Sequence, residues 1–125
     1  MSRCRLIIAF LLICAAPLSA GAASLAIDGQ YGDKLGCQFG KTEEPTGDSD
    51  FILLTRDAIR SSVAFCSIKS IDKMSGNTVS TTISCADEGE AGETTMTANV
   101  IRTGHDSYRV DFSDGTSWGP FKRCK

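Results

Sequence analysis

Histidine and closely spaced cysteines are what this sequence most clearly lacks. The 125-residue chain has one histidine, His105, and none of its six cysteines belongs to a Cys-x-x-Cys pair. Structural zinc sites usually take their ligands as close pairs from two short knuckles, so the pattern predicts no metal site and no cofactor. Histidine is the residue type best suited to act as a general base at neutral pH, and having only one disfavours an enzyme.

An excess of basic residues is absent as well. Thirteen Lys and Arg residues stand against fifteen Asp and Glu residues, and the formal net charge is −2. Binding to nucleic acid requires a clustered basic surface, and docking on anionic lipid requires the same. The composition therefore predicts that the protein binds neither nucleic acid nor an anionic membrane surface.

Long apolar runs are missing except near the N-terminus. Residues 6–16 form an apolar stretch that follows Arg3 and Arg5 and precedes a tail of small residues. This stretch is too short for a membrane-spanning helix, which needs about 20 residues, but its order is typical of a secretory signal peptide. We predict a signal peptide over residues 1–22 and one domain over residues 23–125. The expected location is periplasmic or secreted, without a stable membrane anchor.

Four cysteines remain in the predicted mature domain: Cys37, Cys66, Cys85 and Cys124. An even number in an exported chain is typical of disulfides, because oxidising compartments favour their formation. We predict Cys66–Cys85, between strands joined by a turn at residues 75–77, and Cys37–Cys124, between the first and last strand regions. The alternative pairs Cys37 with Cys66 and Cys85 with Cys124.

Short β-branched segments separated by turn residues dominate the mature domain. Residues 78–85, 94–102 and 108–112 alternate between apolar and polar side chains, which indicates strands with one buried face. Residues 51–55 and 63–71 are apolar enough for two further strands.

Two segments are less regular. The connection 55–62 fits either a tight hairpin or one helical turn, and residues 41–50 read as a polar loop. Pro120 has no amide donor, so the last strand must lie at an edge or contain a bulge.

No helical apolar period extends over ten residues. We therefore predict an all-β antiparallel meander of about seven strands, barrel-like or sandwich-like, with two disulfides.

Three features of the sequence are candidate functional sites. Asp87, Glu88, Glu90 and Glu93 follow a predicted strand, but their spacing is not that of a calcium loop, so they indicate a solvated turn. His105 lies beside Asp106 and Ser107, and adjacent residues on a hairpin tip do not face one another as a catalytic triad requires. The sequence thus predicts no catalytic residue.

Trp118 is the third feature and the candidate binding residue. It is the one tryptophan of the chain and precedes Gly119-Pro120 in the predicted last strand. Aromatic side chains at strand spacing usually fill the core of a small sheet, but a tryptophan near an irregular strand can be partly exposed. We predict that Trp118 contributes to binding.

Three segments carry a resemblance to a known group: GQYGDKLGC (29–37), CADEGE (85–90) and DGTSWGPFKRC (114–124). With their GxY opening, CxxEGE turn and terminal RC, they resemble small exported one-domain proteins of alphaproteobacteria. The resemblance extends over nearly all of the mature chain. Its motifs are structural, and it implies a fold and an exported location but no activity.

These observations predict an exported, non-catalytic binding module whose partner is another protein. One alternative is a secreted effector or virulence protein that acts on a host target. A second is a small-ligand carrier, because Gly29-Gln30-Tyr31 resembles the GxW opening of lipocalin-like barrels. A barrel of about this size has its interior filled by its own side chains, which weighs against the carrier.

Overall fold

The computed structural model describes residues 23–47 and 49–125, which form eight strands and one helix. In chain order these are β1 (Tyr31–Gly32), α1 (Lys34–Thr42), β2 (Ile52–Leu54), β3 (Ala58–Ser61), β4 (Ala64–Ser75), β5 (Thr78–Asp87), β6 (Thr94–Gly104), β7 (Ser107–Phe112) and β8 (Ser117–Arg123). The predicted signal peptide, residues 1–22, lies outside the described residues.

The strands form a closed antiparallel barrel. Each strand pairs with its neighbours along the chain, and β1 also pairs with β8. The predicted all-β meander is confirmed, and it is a barrel. The sequence predicts about seven strands, and the structure has eight among the described residues. Residues 58–61, which the sequence left open between hairpin and helical turn, form β3 between β2 and β4.

Because strand direction alternates, the barrel has two ends with different connections. One end, which we call the acidic end, carries the β1–β2 connection and the turns after β3, β5 and β7. The opposite end, which we call the N-terminal end, carries the segment that precedes β1 and the turns after β2, β4 and β6.

The interior of the barrel is filled by side chains from all around the wall. Ile68, Ile83 and Val110 are fully buried in one core cluster, together with residues from every strand. Thr81 is buried among them and its hydroxyl donates to the backbone oxygen of Ala98 at 2.9 Å. Alternation along β5 therefore directs residues 81, 83 and 85 inward, as the sequence predicted.

Helix α1 is the element that the sequence did not predict. Its N-cap Asp33 accepts a hydrogen bond from the Gly36 amide, and Glu43 ends it in a left-handed conformation. Gly36 and Gly40 lower the helix propensity of this segment, and for this reason the sequence does not indicate a helix here. Gly36 is required by packing, since a Cβ there would overlap the carbonyl of Ile52 and lie 2.8 Å from its carbon. Residues 41 and 42 are thus helical, and the predicted loop starts later.

Both predicted disulfides are present. Cys66 and Cys85 face each other across β4 and β5. Counted from the hairpin turn the two cysteines are offset by two residues, and two register shifts, at Ile68/Ser70 and Ile71/Lys73, remove that offset.

The bridge Cys37–Cys124 has a different role from the one predicted. Cys37 belongs to α1 and not to the first strand region, so the bridge joins the helix to the end of the chain. It lies beside the seam between β1 and β8, where only two residue pairs, Tyr31 with Arg123 and Gly32 with Lys122, close the barrel. The bridge therefore reinforces one of the two shortest strand pairings in the wall, since β1–β2 also has only two residue pairs.

Pro120 lies in a bulge. The register of β7 and β8 shifts between Tyr108–Phe121 and Val110–Trp118, so two residues of β8, Gly119 and Pro120, face one residue of β7. Because β8 also pairs with β1, it is not an edge strand. Of the two arrangements predicted for this strand, the bulge is correct.

Candidate functional site

Exposed apolar side chains are concentrated at the acidic end. Val63 and Phe65, which we call the apolar tip, are 55% and 44% exposed. Val63 directly precedes β4 and Phe65 is its second residue; Cys66 and Ile68 point inward, and the alternating positions therefore point outward. Among the described residues, the one other large hydrophobic residue exposed to this degree is Met74, at the N-terminal end.

A stack of aromatic rings and one arginine extends from the apolar tip along the outer wall. The Arg60 guanidinium lies 5.0 Å from the centre of the Phe65 ring and 4.7 Å from that of Phe39. Phe39 in turn stacks on Phe51 with ring centres 4.5 Å apart. Register places Arg60 directly opposite Phe65, and α1 supplies Phe39. These contacts hold the Phe65 ring in place at the surface.

Trp118 lies in a cleft at the same end of the barrel. The cleft has a volume of about 110 Å³ and is lined by Ala64, Met96, Phe112, Trp118 and the Cys66–Cys85 bridge, with carboxylates at its edge. Trp118 is half-buried and packs edge-on against Phe112, with ring centres 4.7 Å apart. Ala64 stands between Val63 and Phe65 in the chain, so the cleft borders the apolar tip.

Carboxylates surround these apolar groups. The turns at residues 61–65, 86–94 and 112–117 contain no Lys or Arg and five acids, which we call the acidic rim: Asp87, Glu88, Glu90, Glu93 and Asp114. All five are exposed.

Hydrogen bonds hold parts of the acidic rim in place. The Glu88 amide donates to Val63 O at 2.7 Å, and Glu93 accepts from the Ser84 hydroxyl at 2.8 Å. Hydrogen bonds from Thr116 lower the pKa of Asp114, so this carboxyl stays ionised in moderately acidic solution.

We expect the acidic rim to leave calcium unbound at micromolar concentration. Its carboxylates are spread around exposed turns, and in the described part of the chain no three His, Cys, Asp or Glu side chains are grouped as metal ligands would be. Replacing Glu88 and Glu90 by Gln should change the free energy of unfolding by less than about 0.5 kcal/mol. Calorimetric titration and chemical denaturation measure the two effects. A calcium-dependent rise in melting temperature that these substitutions abolish would contradict this expectation.

His105 lies on the exposed tip of the β6–β7 hairpin, at the N-terminal end. Its side chain is 91% exposed, and Nε2 is 4.0 Å from a carboxylate oxygen of Asp106. The hydroxyl of Ser107 accepts a hydrogen bond from Thr103. Among the hydrogen bonds of the described residues, none joins Ser107 to His105.

Sequence reasoning predicted Trp118 as a candidate but missed Val63, Phe65 and Arg60. A signal for two of them was present. In residues 63–71, Cys66 and Ile68 alternate with Val63, Phe65, Ser67 and Lys69. Apolar residues that share a face with Lys69 point to solvent. The contact of Arg60 with Phe39 depends on the position of α1, so the alternation of residues along the sequence does not predict it.

By fold and surface, the chain belongs to the class of small disulfide-bonded antiparallel barrels with a filled interior and an apolar, acid-rimmed end. Comparison with protein-family models, with curated proteins and with solved structures finds no match for it. The resemblance to small exported alphaproteobacterial proteins stays a prediction. No helix among residues 23–47 and 49–125 has the length and apolar character needed to cross a membrane.

Proposed function

We propose that this protein is an exported, non-catalytic binding module that recognises another protein through the acidic end of its barrel. The observation that carries the proposal is the apolar tip, where Val63 and Phe65 are exposed side by side next to the Trp118 cleft. Contiguous exposed apolar side chains rimmed by polar residues are typical of protein–protein interfaces.

Residue types at this end also support a protein interface. Binding energy in such interfaces is concentrated in Trp, Tyr and Arg residues that lie in packed surroundings. Trp118 packs on Phe112, and Arg60 is held between two rings. Both side chains are therefore ordered before a partner arrives, which reduces the entropy cost of binding.

The acidic rim indicates the charge of the partner. The three turns of the acidic rim hold five carboxylates and no Lys or Arg, and the β1–β2 connection at the same end adds Glu43, Glu44 and Asp50 beside Lys34 and Lys41. Like charges across an interface are unfavourable, whereas complementary charges accelerate association. The proposed partner is a protein that presents an apolar groove bordered by Lys or Arg, and its binding should weaken as salt is raised.

The proposal also concerns the compartment in which the protein binds its partner. The two disulfides are compatible with an extracytoplasmic protein. We place the binding event in the periplasm or outside the cell. The effector alternative differs only in the origin of the partner, so capture from host extracts beside periplasmic extracts distinguishes the two.

The test is affinity capture with the mature domain and with the double variant Val63→Ser, Phe65→Ser. We expect the wild-type protein to retain a basic protein that the double variant loses, with at least about a tenfold drop in affinity. Both positions are exposed, so the free energy of unfolding should change by less than about 1 kcal/mol. The purified partner should also shift the fluorescence of Trp118, the one tryptophan of the chain.

Met74→Ser is the matched control. Met74 is 70% exposed, more than Val63 or Phe65, but lies at the opposite end of the barrel. The control should capture the partner as well as the wild-type protein does. Equal loss with Met74→Ser, or full retention by the double variant, would show that the acidic end is not the binding surface.

A further inference from the structure

The N-terminal end of the barrel contains a second, separate concave site. A pocket of about 240 Å³ lies between the segment that precedes β1, the β4–β5 hairpin and the start of β7. Its walls are mainly apolar, with Leu25, Ile71, Val79, Val100 and Tyr108 among the lining residues. We call it the end pocket.

One wall of the end pocket is held in place by hydrogen bonds. The Leu25 amide donates to Arg56 O at 2.7 Å, and the Ser24 hydroxyl donates to Asp57 at 2.6 Å. Leu25 is 2% exposed and belongs to the core cluster. The wall is therefore part of the folded barrel.

Arg102 is the one cation among the described residues that line the end pocket. The Arg102 guanidinium donates through Nε to Gly104 O at 3.2 Å and through Nη2 to His105 O at 2.9 Å. These carbonyls orient the side chain but carry no net charge. The ion pairs within 4.0 Å among the described residues involve His105, Arg109 and Arg123, so no carboxylate of these residues is in direct contact with Arg102. Two contacts also leave several of the five guanidinium N–H groups available.

We propose that the end pocket binds a short amphipathic carboxylate, with its chain on the apolar wall and its carboxylate on Arg102. The volume is below the roughly 300–1,000 Å³ of drug-sized sites, so it suits a chain of about eight carbons and not a full-length lipid tail. A guanidinium pairs well with a carboxylate, because its parallel N–H groups match the two oxygens. This site is independent of the acidic end and extends beyond the proposed function.

Such a ligand would lie at the mouth of the barrel and not within it. The interior is occupied by the side chains of Ile68, Ile83 and Val110. The predicted carrier of lipocalin type would hold its ligand inside. The end pocket is therefore a surface-accessible site on a filled barrel.

The experiment is an NMR titration of the ¹⁵N-labelled mature domain with sodium octanoate below its micelle concentration. Acetate supplies the charge without the chain, and 1-octanol the chain without the charge. We expect saturable shifts of the Ile71, Val79 and Arg102 amides with octanoate, and much weaker binding of acetate and 1-octanol. Trp118 fluorescence should not change, because Trp118 lies at the other end.

Two variants test the geometry, with Lys69→Gln as the control. Arg102→Gln should weaken octanoate binding about tenfold while leaving 1-octanol unchanged. Ala26→Phe, at an exposed position that lines the pocket, should block both ligands. Lys69→Gln removes an exposed positive charge outside the pocket lining and should have no effect.

Three outcomes would overturn the proposal. They are the absence of saturable octanoate shifts at millimolar concentration, shifts that map to the apolar tip, and an equal effect of Arg102→Gln on octanoate and 1-octanol.

Discussion

Replacing Cys37 and Cys124 together by alanine is expected to lower the free energy of unfolding by about 4–5 kcal/mol. The bridge closes a loop between cysteines 87 positions apart, and restricting the unfolded chain over this length is worth about that amount. Small domains have only about 5–15 kcal/mol in total. The loss also weakens the β1–β8 seam, where two residue pairs close the barrel. Opening that seam would expose two strand edges, so the variant should also aggregate. Chemical denaturation and light scattering measure both effects.

The matched comparison is the double alanine variant of Cys66 and Cys85. Its loop joins cysteines only 19 positions apart, so the expected loss is about 3 kcal/mol. Alanine is preferred to serine because both positions are buried, and a buried hydroxyl would add a cost of its own. The β4–β5 pairing around this bridge is long, so the barrel should stay closed without it. Equal or reversed losses in the two variants would contradict the role assigned to Cys37–Cys124.

The substitution Gly36→Ala is expected to lower the free energy of unfolding by about 2 kcal/mol. A Cβ at this position overlaps the backbone carbonyl of Ile52, and backbone atoms cannot move aside as a flexible side chain can. Overpacking of this kind usually costs about 1–3 kcal/mol and occasionally more. The gain of about 1 kcal/mol in helix propensity offsets only part of it. Thermal and chemical denaturation give the net change.

Gly40→Ala is the control in the same helix. A Cβ there would meet the side-chain oxygen of Gln30, at the free end of a flexible side chain, and would lie 3.2 Å from a methyl group of Leu53. The gain in helix propensity should roughly balance that adjustment, so the change should stay within about 1 kcal/mol. If Gly36→Ala proves as harmless as Gly40→Ala, then α1 does not depend on close contact with β2.

The two ends of the barrel differ in chemistry. The acidic end combines an apolar tip, an ordered arginine and five carboxylates, which suits a basic protein surface. The N-terminal end has an apolar pocket with an arginine at its rim. One fold can thus present two independent binding surfaces, because its interior is filled and the ends are built by separate sets of turns. Substitutions at one end should leave binding at the other unchanged.

Strand content was predictable because alternation is a local property. Residues 78–85, 94–102 and 108–112 each alternate in the sequence, and each lies within a strand of the barrel. The short strands β1 and β3 have too few residues to show an alternating period. The sequence therefore indicated about seven strands, and the structure has eight. Helix α1 was missed since Gly36 serves a contact with Ile52, which is distant in sequence.

The candidate surface was predictable only in part. Trp118 stood out as the one tryptophan, and the acidic turn was correctly read as exposed. The apolar tip follows from alternation along β4 once Cys66 is known to point inward. Its position beside the Trp118 cleft depends on barrel closure, which brings the turns after β3, β5 and β7 to one end.

By itself, the sequence determined the all-β class and the charge of the turns, because these depend on local periodicity and composition, whereas it left two cysteine pairings open. Only the tertiary structure decided the register of Cys66 with Cys85, the docking of α1 and the closing of β1 on β8. Each of these is set by contacts between residues far apart in the chain. The two register shifts between β4 and β5, the contact of Gly36 with Ile52 and the two β1–β8 residue pairs select among arrangements that local sequence patterns do not distinguish.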